Sequence, residues 1–157
     1  MEQHKSDELQ NELYSAWEGQ MTEAIFYMDG HVRVYWGTKA KLSKKYVSSQ
    51  KLCLPGTTQY WVNTQEGQPL LCIIGELTDG LKQDIESFIA YKISNTSAQY
   101  LQSLKQSKDK VWFTIVFDRE AYEPKWFKKL WDDHRIAVIT YRKSVKDRWD
   151  ENQFSPY

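Results

Sequence analysis

The feature that most constrains the fold is the run Val111-Trp-Phe-Thr-Ile-Val-Phe117, apolar but for one threonine and cut off abruptly at Asp118-Arg119-Glu120. A short run of this kind predicts a strand buried on both faces. Pro124 then suits the first turn of a helix, where its missing N–H leaves no bond unmade, and Trp126, Phe127, Leu130 and Trp131 form that helix's apolar face before His134. Arg135-Ile-Ala-Val-Ile-Thr-Tyr141 is a second buried strand. Strand, helix, strand with short connections implies a parallel pair joined by a right-handed crossover, so the chain is built on an α/β sheet.

Upstream, residues Ala24 to Trp36 are rich in β-formers, with Val32, Val34 and Trp36 alternating against Arg33 and Tyr35. They predict one long strand with a bulge at Gly30, or a tight hairpin at Asp29-Gly30. Two β runs, Gln59 to Val62 and Pro69 to Gly75, flank a polar connection containing Gly67 and predict a hairpin. Leu81, Ile85, Phe88 and Ile89 follow helical spacing after a cap at Thr78 or Asp79, and 94–108 is a second helical piece or linker. Leu9, Leu13, Tyr14 and Trp17 predict an N-terminal helix over 7–20, capped by Ser6 or Asp7. The order strand, hairpin, helix, strand, helix, strand describes a mixed sheet flanked by helices. We divide the chain into an N-terminal helical segment, 1–20, and one core domain, 21–157.

With 157 residues, 41% of them hydrophobic, and seven Trp, ten Tyr and six Phe, the chain can bury a core, which excludes general disorder. Apolar runs such as Leu70 to Ile74 fall far short of the roughly twenty residues that cross a bilayer, and the polar N-terminus carries no apolar signal region, so no membrane association is expected. The only cysteines, Cys53 and Cys72, fit a reducing cytoplasm and read as small buried hydrophobes. His31 and His134 have no metal-ligand partner at close spacing. No Gly-rich phosphate loop, nucleophile elbow or His-Glu-x-x-His motif occurs, which removes support for nucleotide hydrolases, serine hydrolases and zincins.

The net charge is zero but unevenly placed, with −6 over residues 1–29 and +6 over 30–60. The basic stretch holds Arg33, Lys39, Lys41, Lys44, Lys45 and Lys51, no acid, and Tyr35, Trp36, Tyr46 and Tyr60 among them. That composition suits contact with a phosphate backbone, with rings able to stack on bases, although a solvated loop is the reading that composition alone favours. In open α/β sheets functional groups gather at the carboxyl ends of strands, where Asp118 sits directly after Phe117 and Asp29 interrupts or ends the first strand. If those strands are neighbours, the two carboxylates face each other and suit a hard divalent cation, Mg²⁺ or Mn²⁺, of the kind that assists phosphodiester chemistry. Otherwise Asp118 pairs with Arg119 or caps the next helix, and Asp29-Gly30 is a turn.

The words Tyr27-Met-Asp29-Gly30-His31-Val-Arg-Val-Tyr35, Lys51-Leu-Cys-Leu-Pro-Gly-Thr-Thr58, Tyr60-Trp-Val-Asn63, Gly67-Gln-Pro69, Phe117-Asp118-Arg119-Glu120 and Arg135-Ile-Ala-Val-Ile-Thr-Tyr-Arg-Lys143 occur in this order. Together they resemble bacterial insertion-sequence transposases of the DDE type, over about residues 23 to 154. The resemblance implies a ribonuclease H-like fold with the basic segment 37–57 inserted after the first strand. It implies that Asp29 and Asp118 are catalytic acids that hold Mg²⁺ or Mn²⁺ while a water or a 3′-hydroxyl attacks a DNA phosphodiester. Arg33, Lys39, Lys41, Lys44, Lys45 and Arg119 would contact DNA, the transposon ends and the target. The resemblance further implies a homodimer in a full-length synaptic complex and a bacterial, cytoplasmic, nucleoid-associated location. The family uses a third acid, usually a Glu on a later helix. Glu151 is the late acid with a suitable setting, yet its place soon after Tyr141 fits the family's connecting segment better, so we expect the third acid to be missing and the core to be truncated on its C-terminal side. The alternative from another class is a non-catalytic interaction module that keeps the fold without activity.

Overall fold

In the computed structural model the described residues are 24–47, 50–76, 80–107 and 109–143, with the isolated helical positions Glu12, Ser15 and Ala16. The rest of the expected N-terminal helix, the caps at Thr78 and Asp79, and Glu151 lie outside them. The central strand β1 (Ile25–Val34) pairs antiparallel with β3 (Leu52–Thr64), from Phe26↔Thr64 to Val34↔Gly56, and parallel with β5 (Phe113–Phe117), from Ile25↔Thr114 to Met28↔Phe117. Beyond β5 lies β6 (Ile136–Thr140), parallel to it, and β3 also pairs antiparallel with β4 (Pro69–Glu76) and with β2 (Lys44–Val47). This six-stranded mixed sheet with its helices is an α/β architecture compatible with a ribonuclease H-like fold.

The two-residue period of the strands sorts their side chains onto two faces. On one face Phe26 and Met28 of β1, Tyr60 and Val62 of β3, and Phe113, Ile115 and Phe117 of β5 are all buried. Among the described residues three helices cover that face. In α1 (Leu81–Ser94) the spacing of Leu81, Ile85, Phe88 and Ile89 delivers four buried residues to the sheet, α2 (Ala98–Gln106) adds Leu104, and α3 (Pro124–His134) adds Trp126 and Leu130. Phe26, Phe88 and Phe113 meet edge to face at 5.4–5.9 Å between ring centres, a geometry aromatic quadrupoles favour. Pro124 opens α3 as expected. Arg135 closes it at φ 58°, and its guanidinium donates to the carbonyls of Ser107 and Trp131. Lys82 at the start of α1 reaches Glu123 at the start of α3 at 2.8 Å, and that bond raises the lysine's pKa.

Several expectations are corrected. β1 runs through Gly30 without a bulge or a turn, since its register with β3 is continuous from Phe26 to Val34. Glycine stands there because a Cβ would lie 2.6 Å from the Tyr60 ring. The irregularity in this part of the sheet falls instead between Val62 and Asn63, opposite β4. Within the basic segment 37–57, which follows the first strand as expected, 44–47 form β2 and 52–57 begin β3. Residues 111–117 and 135–141 are not buried on both faces. Thr114 and Val116 are half-buried and Ile139 is 56% exposed, because the helices described cover one face and β6 is the last strand of the sheet among the described residues. α1 begins after Gly80, which makes no side-chain cap. Cys53 is exposed and Cys72 half-buried, for both lie on the sheet face opposite the core cluster, opposite Tyr46 and Trp61 in the ladders.

Candidate functional site

The parallel register of β1 and β5 ends at Met28↔Phe117. Asp29 and Asp118 are the next residues of the two strands, just past the end of a ladder whose strands lie about 4.8 Å apart. Both carboxylates belong to the face that the described helices leave uncovered, since Tyr27 and Val116, the preceding pair of that parity, point the same way. Both are exposed. Each uses one oxygen on the next backbone N–H: Gly30 N–H donates to Asp29 Oδ1 at 2.9 Å, and Arg119 N–H donates to Asp118 Oδ1 at 2.7 Å. The second contact makes Asp118 the cap of a short 3₁₀ turn, Arg119–Ala121, so the helix-capping alternative describes part of what this side chain does. Neither carboxylate forms an ion pair among the described residues. The second oxygen of each therefore remains available to a cation or a donor.

Hard carboxylate oxygens set side by side suit a small divalent cation such as Mg²⁺ or Mn²⁺. Among the described residues no third His, Cys, Asp or Glu joins them in a metal-binding group.

The expected cationic residues divide into two sets. Arg119 is exposed directly beside Asp118, and Arg33 lies on β1 with the parity of Asp29, its Nε donating to Gln59 Oε1 at 3.0 Å. Lys39, Lys41, Lys44 and Lys45 lie at the far tip of the sheet instead. Tyr46 of β2 pairs with Cys53, eight residues along β3 from Trp61, the partner of Asp29. At the rise of a strand this is about 27 Å. The tip is ordered by Tyr35, whose hydroxyl accepts from the Ala40 N–H at 3.2 Å, and by the Tyr35 N–H, which donates to the Pro55 carbonyl.

One residue beside the carboxylates escaped the sequence reading. His31 is exposed, follows Asp29 by two residues on the same face, and stands opposite Gln59. The signal was the alternation itself, because an unbroken strand puts residues 27, 29, 31 and 33 on one side. A bulge at Gly30 reverses that parity, so expecting one separated His31 and Arg33 from Asp29.

A cavity lies on the opposite side of the molecule, between α1 and α3. It measures about 260 Å³ and is floored by Ile89, Ile93, Trp126 and Leu130 with His134 at its rim. Burial pulls the His134 pKa below its ordinary value, opposed by Asp133 and reinforced by Lys105 and Lys129. On the carboxylate face burial pushes the Cys72 thiol up, with Arg33 opposing. No helix of the described residues is long and apolar enough to cross a membrane.

Residues 2–156 match a protein-family model described as "Transposase protein". No curated protein and no solved structure matches the chain.

Proposed function

The chain belongs to the transposase family that this match defines, and on that premise we propose that it is a DDE-type catalytic core in which Asp29 and Asp118 serve phosphodiester cleavage and strand transfer. The observation that supports this reading is the parallel register of β1 and β5, ending at Met28↔Phe117 just before the two aspartates. Their oxygens would hold Mg²⁺ or Mn²⁺, with Glu151 as the candidate third carboxylate. A divalent cation held there supplies positive charge both to the attacking hydroxyl and to the leaving oxygen of a phosphodiester.

The chain's own residues do the rest. The backbone N–H groups of Gly30 and Arg119 fix one oxygen of each carboxylate, so the other is aimed without a search through rotamers. Arg33 and Arg119 present planar guanidinium groups that grip phosphate oxygens two at a time, and so orient the DNA strand over the pair. Lys39, Lys41, Lys44 and Lys45 hold phosphates further along. In this reading the protein works on transposon ends and target DNA as a homodimer, at the nucleoid of a bacterial cytoplasm.

A second reading, a module that keeps the fold without chemistry, draws on the cap that Asp118 makes to the 3₁₀ turn, a use of the carboxylate that needs no metal. Mn²⁺ binding followed by electron paramagnetic resonance separates the two. The catalytic reading requires binding by the parent chain that is lost in Asp29→Asn and in Asp118→Asn, with Glu151→Gln testing the third carboxylate. Equal binding by parent and Asp118→Asn would discard it in favour of the second reading.

A further inference from the structure

The tip formed by β2, the start of β3 and the connection 35–43 is unlike the rest of the sheet. Trp36 is 74% exposed, Tyr46 57% and Leu52 57%, while Lys39, Lys41, Lys44 and Lys51 are exposed around them. No acidic residue occurs between positions 30 and 60, and among the described residues none of these lysines forms an ion pair. A lysine-rich surface explains phosphate attraction but not the rings, since an indole left in water gains nothing from nearby ammonium groups that phosphate would draw away. Base faces account for both features at once, because a ring takes a base by stacking while the lysines follow the backbone. Duplex DNA keeps its base faces stacked inside, so this surface fits unpaired bases.

We propose that the β2 tip is a binding platform for single-stranded DNA, with Trp36 and Tyr46 stacking on unpaired bases and Lys39, Lys41 and Lys44 on the phosphates. The proposal rests on the transposase reading only for the choice of DNA. Tyr46 and Lys44 share the sheet face of Asp29 and Asp118 by strand parity. The 27 Å between them corresponds to about eight nucleotide steps at the 3.4 Å spacing of a duplex. The platform therefore engages a distorted or unpaired stretch at that remove from the phosphodiester over the carboxylates.

The test is fluorescence anisotropy with labelled oligo-dT of about sixteen nucleotides, the matching duplex and oligo-rU, in EDTA and across a salt series. Oligo-dT is expected to bind more tightly than duplex. Trp36→Ala and Tyr46→Ala are each expected to weaken oligo-dT on the order of tenfold while leaving the salt slope unchanged. Trp36→Phe keeps a stacking ring and restores most of the binding, which separates stacking from folding. Changing Lys39, Lys41 and Lys44 to Gln is expected to lower the slope by about 0.7 per lysine. Duplex binding as tight as oligo-dT, alanine variants that bind like the parent, or a preference for oligo-rU would each overturn the proposal. Because EDTA removes any divalent cation, these results stand apart from the Mn²⁺ result, and either reading can fail alone.

Discussion

The two faces of this sheet are made from the same strands and share no purpose. On one, Phe26, Met28, Ile115 and Phe117 pack beneath α1 and α3 at 0–5% exposure. On the other, one residue away in each strand, Tyr27 is 42% exposed and Asp29 and Asp118 reach solvent. The covered face supplies the apolar burial that folds the chain, at roughly 25 cal/mol for each Å² removed from water. It also holds β1 and β5 in register. The open face can then carry two like charges side by side, because neither has to be desolvated and the strands beneath them cannot drift apart. The strand period of two separates the core from the proposed site.

The most direct way to break this comparison uses two isoleucines of β6. Ile136 is 1% exposed and belongs to the core cluster, whereas Ile139 is 56% exposed on the other face. Ile136→Ala should cost about 2–5 kcal/mol, the range for a truncated core isoleucine. Ile139→Ala should cost less than about 1 kcal/mol. Urea unfolding of both variants reads the difference as a shift in midpoint. Equal costs would mean that the second face is packed as tightly as the first, and the division would fall.

Gly30 sharpens the same point at the boundary between the faces. It belongs to the covered side, where an added Cβ meets the buried Tyr60 ring at 2.6 Å. Gly30→Ala is therefore expected to destabilise by about 1–3 kcal/mol, as overpacking does. In a Tyr60→Leu background the cost should shrink, since the two residues are in contact and their effects cannot add. Additive costs in the double variant would show that the ring is not what excludes the side chain.

This glycine also shows why part of the molecule was legible in the sequence and part was not. Strands β5 and β6 are legible as short apolar runs, β1 from its alternation, the hairpin of β3 and β4 from two β runs around a Gly-containing connection, and helices α1 and α3 from buried residues that recur at three to four. Asp29-Gly30 has the local signature of a turn, but the reason for glycine is the Tyr60 ring, delivered by a strand that pairs from thirty residues away in the ladder Gly30↔Tyr60. β2 left almost no trace, for Val47 is its one buried residue and backbone pairing with β3 holds it. An apolar run such as 113–117 marks a strand without saying how many faces are covered. The carboxylates could be located at strand ends from the sequence, but their adjacency depends on the β1–β5 register, which no local pattern encodes.

Asp118 lets the two uses of an open-face carboxylate be separated with a smaller effect. Asn caps a helical turn about as well as Asp, whereas Ala does not. Asp118→Ala should therefore lose about 1 kcal/mol of stability and Asp118→Asn close to none, while the proposed site requires both to lose Mn²⁺ binding. Thermal melts and metal titration of the same two proteins report the two effects independently. Loss of Mn²⁺ binding in Ala alone would mean that the capped turn, and not the charge, is what the metal needs.

The covered side has its own titrating group, and its effect is the smallest. Burial beside α1 and α2 lowers the folded-state pKa of His134, with Lys105 and Lys129 acting in the same direction and Asp133 against it. Glu86, on α1, also lines the cavity that His134 rims. A base whose folded pKa is depressed binds protons more readily when unfolded, so stability rises with pH wherever the two states differ. The contribution is fully present above the unfolded value near 6.5 and is lost as pH falls through the lower folded value. Unfolding free energy measured from neutral pH down to mildly acid pH should therefore decline more steeply in the parent chain than in His134→Gln. A parent and a His134→Gln variant with parallel profiles would show that burial does not disfavour the charged form of this histidine, and the covered side would lose its titrating component.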